Sequence, residues 1–111
     1  MLSRLALLIV LTSATLVYAS AASSKLTGRW LWHGIDAETV DTFRADHTYT
    51  LERSGIEHHD ILNGTWQMDG DRLTIAWQNG EKTVYRVVKL TSHVLILESK
   101  EIGKETLSRI K

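Results

Sequence analysis

His58, His59 and Asp60 form the sharpest polar cluster in the chain, because imidazole and carboxylate are the side chains that hold metals and move protons. In an extended strand His58 and Asp60 share one face while His59 points the other way. Two converging ligands fall short of the three or four that zinc or copper takes, so a metal would need His33, His47 or His93 as well. His47 and His93 fall in predicted turns, and His33 has the parity opposite to Trp30 and Trp32. A histidine bonded to a carboxylate is also a general base, yet no motif sets a nucleophile beside this one. No catalytic residue, metal set or cofactor is therefore assigned, and the domain reads as non-enzymatic.

Aromatic residues offer a second kind of chemistry, recognition by large rings with one polar handle. Trp30, Trp66 and Trp77 take the inward parity of their strands, and with Tyr49, His58 and Asp60 they make the candidate lumen set for a bound ligand. The competing reading is core filling, since the chain holds one phenylalanine and four tryptophans, and the rings must supply core volume.

These residues must be positioned by strands, because period-two alternation dominates after residue 21 and helical spacing is never sustained. Strands are predicted over 26–32, 37–44, 47–53, 56–68, 72–78, 81–90, 94–98 and 105–110. Ser54-Gly55 is expected to break the third, and Gly64 to bend or bulge the fourth. Asp69-Gly70-Asp71 and Asn79-Gly80 are hairpin turns, the latter the strongest such signal in the chain. About eight sequential strands joined by hairpins describe an all-β, antiparallel up-and-down β-barrel, whose closure removes exposed edges. Leu26-Thr27-Gly28-Arg29-Trp30 also recurs as Leu62-Asn63-Gly64-Thr65-Trp66, which implies two half-barrels or a chance repeat of a common strand start.

Residues 1–21 read as a secretory signal peptide: a basic start ending at Arg4, an apolar run from Leu5 to Val17, and small residues around Ala19-Ser20-Ala21. Cleavage after Ala21 would leave one domain, residues 22–111, secreted or periplasmic in a bacterium and without a stable membrane anchor. The chain has no cysteine, which excludes disulfides, thiolate chemistry and a lipid-modified N-terminal cysteine. Of the thirteen basic and thirteen acidic residues, removal of Arg4 leaves a net charge of −1, with the basic side chains scattered singly. That pattern offers no footprint for nucleic acid.

Gly28-x-Trp30 near the start, with Arg109 near the end, resembles the lipocalin and wider calycin pattern. In that pattern the arginine packs across the tryptophan and closes the barrel, here the structural pair Trp30 and Arg109. The run from Gly64-Thr65-Trp66 to Leu73-Thr74-Ile75 resembles small bacterial lipocalin-like domains of unassigned function, and Phe43 through Tyr49 adds to the likeness. The resemblance implies an exported binding domain that holds a small apolar or hydrophobic ligand in the barrel. The alternatives are a cell-envelope protein-interaction module, an inhibitor or accessory subunit with a filled barrel, and a metal-dependent enzyme or carrier built on His58 and Asp60.

Overall fold

Alternating apolar side chains need a common interior, and one sheet that curls onto itself supplies it without leaving an edge. The computed structural model describes residues 24–111, and the expected signal peptide lies outside them. Eight strands follow in order: β1 (Gly28–His33), β2 (Ala37–Phe43), β3 (Thr48–Gly55), β4 (His59–Asp69), β5 (Arg72–Trp77), β6 (Lys82–Leu90), β7 (Val94–Ser99) and β8 (Gly103–Ile110). Each is antiparallel to the next, and β8 returns to β1 with Arg109 opposite Trp30, so the barrel is closed.

The register carries one face inward all the way round. Trp30 stands opposite Asp41, Asp41 opposite Leu51, and Leu51 opposite Leu62. Trp66 then pairs with Ile75, Leu73 with Tyr85, Val87 with Leu97 and Leu97 with Glu105. Trp30, Phe43, Trp66, Leu73, Leu95 and Leu107 are buried together toward the end where β1 begins. A helical turn at residues 24–26 brings the fully buried Leu26 against that end as a plug, so Leu26 is not part of the first strand.

Three other sequence expectations change. Ser54 and Gly55 complete β3 instead of breaking it, because Ser54 pairs with His59 and the Gly55 N–H donates to the His58 carbonyl at 2.8 Å. The turn therefore falls at residues 56–58, and Ile56 and His58 leave the inward face for solvent. At Gly64 the ladder runs on without a bulge; an added Cβ would strike the Ala76 carbonyl oxygen, so glycine there permits close strand approach. The register shift lies in β6 instead, between Val87 and Lys89. The repeat of Gly28-x-Trp30 at Gly64-x-Trp66 falls on β4, three strands on, and so does not divide eight strands into equal halves.

Candidate functional site

The two ends of the barrel differ in how far their lumen-facing side chains are buried, and the turn at residues 24–26 seals one of them. At the sealed end the Arg109 guanidinium carbon lies 4.2 Å from the centre of the Trp30 ring. Its nitrogens donate to the carbonyls of Lys25 at 2.6 Å, Ser92 at 2.7 Å and Thr27 at 2.8 Å. Gly28 makes room for this group, since a Cβ there would strike the guanidinium and the backbone sits at φ +131°. The Trp30 indole N–H donates to the Leu26 carbonyl at 2.9 Å, so one arginine and one indole tie the plug to the first, last and sixth-to-seventh strand connections. Trp66 is covered in a parallel way. His47, at φ +70°, stacks on it at 4.6 Å, and its indole N–H donates to the Arg44 carbonyl at 3.0 Å.

At the other end, lumen-facing Trp32, Leu51, Trp77 and Tyr85 pack on the core while remaining only partly buried. They line the mouth. Its floor is Asp41 from β2, 8 % exposed, with Thr39 and Trp32 one step nearer the opening. The Tyr49 hydroxyl donates to Asp41 Oδ2 at 2.7 Å, and the Thr39 hydroxyl reaches Oδ1 at 3.4 Å. Tyr49 meets Trp77 edge-on at 5.5 Å, and the Trp77 indole N–H donates to the Thr83 hydroxyl at 2.8 Å, which fixes that ring in the wall. Above the mouth, the strand connections carry the exposed side chains Ile35, Ile56 and Ile102.

Burial dominates the electrostatics of this floor. Loss of water raises the Asp41 carboxyl to about 6 against the stabilising Tyr49 bond, and Glu105 adds a smaller push in the same direction. Burial also raises Glu105, lifts Tyr85 to about 12 and lifts Tyr49 well above its ordinary value. Both phenols are thus neutral donors at ordinary pH. Among the described residues, none of the ion pairs involves Asp41 or Glu105. The arrangement can clasp a flat apolar body and meet its polar end with a carboxylate and hydroxyls.

Of the sequence candidates, the structure sets Trp77 in the partly buried wall against Tyr49, whose ring is itself buried in the core and whose hydroxyl reaches Asp41. Trp30 and Trp66 lie fully packed in the sealed half, where their indole nitrogens are used internally. Asp60 has the lumen parity but stands beyond the rim, exposed and paired with Arg53 at 3.2 Å. His58 sits in the neighbouring turn, and the two line a surface groove with Arg53 and Ile56. His59 points outward to Glu52 at 2.8 Å, and among the described residues no three acidic or histidine side chains gather as a metal set. Sequence reasoning missed Asp41, Glu105 and Tyr85. The signal was there in Asp41, a lone acid at the parity of Phe43 on a strand whose inward positions are otherwise uncharged.

Neither a family model nor a curated protein matches the chain. Among solved structures, a lipocalin-like protein from Bacteroides uniformis superposes with a TM-score of 0.62 at 15 % identity, over 78 % of this chain and 99 % of that one. The fold is lipocalin-like. In this barrel Trp32, Trp77 and Tyr85 are the partly buried aromatic residues that face the lumen at the end away from the plug.

Proposed function

We propose that this protein is an exported, non-enzymatic binding domain that holds one small, largely apolar molecule in its barrel mouth. The observation that carries the reading is the contrast between the ends. Trp30, Trp66 and Leu26 fill the sealed half, whereas Trp32, Trp77 and Tyr85 stay partly open above a polar floor. The interior of an eight-stranded barrel is just wide enough for one small ligand, and the side chains at this end are the less buried ones. The apolar run and small residues of positions 1–21 support export.

Titration with the neutral apolar fluorophore N-phenylnaphthylamine tests the binding. Saturable quenching of tryptophan fluorescence, with amide shifts at Trp32, Trp77 and Tyr85 in NMR spectra, is the expected result. Shifts confined to the β3–β4 tip, or no saturable binding, would overturn it. Expression in a bacterial host tests export separately: mass spectrometry of the periplasmic fraction should give a new N-terminus near Ala22.

A further inference from the structure

We infer that the ligand of the mouth is an organic cation, a protonated amine on an apolar or aromatic body, with its charge on Asp41 and its body against Trp32, Trp77 and Tyr85. This rests on the mouth being a ligand site. The first observation is Asp41 itself: a carboxylate 8 % exposed whose side-chain partners among the described residues are the neutral hydroxyls of Tyr49 and Thr39. Buried charges are ordinarily paired, and among the described residues no cation pairs with this one. An ammonium group would supply the missing partner, with charge-assisted bonds stronger than the neutral ones present.

A second, independent observation is the wall. Trp32, Trp77 and Tyr85 stay partly buried around the lumen, and tryptophan offers the best aromatic face to a cation. Glu105 adds a second lumen carboxylate from β8. The rim agrees in sign: the four connections at the open end, residues 34–36, 56–58, 78–81 and 100–102, carry Asp36, Glu57, Glu81 and Glu101 against Lys100. Such a rim raises the local concentration of cations and disfavours carboxylate ligands. The exposed Ile35, Ile56 and Ile102 give the apolar part of an entering amine a surface to cross.

Three molecules of one shape separate charge from apolarity: phenethylamine, phenethyl alcohol and hydrocinnamate, each titrated at neutral pH by tryptophan fluorescence and calorimetry. The amine should bind about tenfold or more tighter than the alcohol, and the carboxylate most weakly. Asp41→Asn keeps an acceptor for Tyr49 and should abolish the preference, so that amine and alcohol bind the variant with equal affinity. Glu105→Gln, at a less buried position, serves as a second variant and should shrink the preference partway. Equal affinities for amine and alcohol, or an amine preference that survives both substitutions, overturns the cation and leaves the small-molecule reading standing. Binding of N-phenylnaphthylamine alone does the same. Failure of all four compounds overturns both.

Discussion

At the residue scale, Asp41 is where local chemistry and the fold disagree most. Its folded carboxyl titrates at about 6 and its ordinary value is 3.8, so between those limits the native state keeps a proton that the unfolded chain has released. Stability from this group therefore falls as pH rises. It is unpenalised below the unfolded value, and above about pH 6 it costs the fold about 3 kcal/mol. The groups facing it are the hydroxyls of Thr39 and Tyr49 and the Glu105 carboxylate; burial raises Glu105 as well, with the same sign, and Tyr85 stays neutral throughout. Asp46, lowered mainly by the Thr48 hydroxyl, acts only below this window. Urea unfolding of the protein should show stability declining from about pH 4 to about pH 7, and Asp41→Asn should flatten most of that decline. A wild-type profile as flat as that of the variant would show that the carboxylate is not buried in solution.

At the element scale, the wall of the barrel depends on how closely two strands approach. Gly64 pairs with Trp77 on β5, and the Ala76 carbonyl lies where a side chain at 64 would begin. Backbone cannot swing aside as a side-chain tip does, so Gly64→Ala must push β4 and β5 apart. The expected cost is about 1 to 3 kcal/mol, the range for overpacking. Because Trp77 bonds Thr83 and meets Tyr49, its ring should move with the strand. A change in near-ultraviolet circular dichroism is thus expected with the loss of stability, whereas Gly80→Ala, in open space but at φ +91°, should cost stability without changing that signal.

At the scale of the whole molecule, closure rests on contacts between the chain's two ends. Arg109 joins β8 to Trp30 on β1 and to the carbonyls of Lys25 and Thr27 that precede it. Arg109→Ala removes a cation–π contact and three bonds to carbonyls, an expected loss of about 2 to 4 kcal/mol. Trp30→Ala should cost about 3 to 5 kcal/mol, because it empties the centre of a packed end. Both variants abolish the same contact, so denaturation of the double variant should show a loss smaller than the sum. Strict additivity would mean that the ends of the barrel are held by something other than this pair.

Much of this molecule was legible in the chain because strands obey a local rule. Alternate residues face opposite sides, turn residues such as Asn79-Gly80 mark hairpins, and eight such strands with hairpins favour a meander that closes. The pairing of Trp30 with Arg109 followed from the resemblance to the calycin pattern, and closure, which brings the first and last strands together, realises it. What parity alone cannot decide is depth along the barrel axis. Trp30, Trp77 and Asp60 all have the lumen parity, yet the first is sealed in the core, the second lines the mouth and the third stands beyond the rim. Depth is set by the stagger of neighbouring strands and by where each turn falls, as the shift of a single turn to residues 56–58 took His58 out of the lumen. Asp41 stood out in the sequence only as a lone inward acid: its bond to Tyr49 lies within the β2–β3 hairpin, but its burial and its neighbourhood with Glu105 come only when the barrel closes.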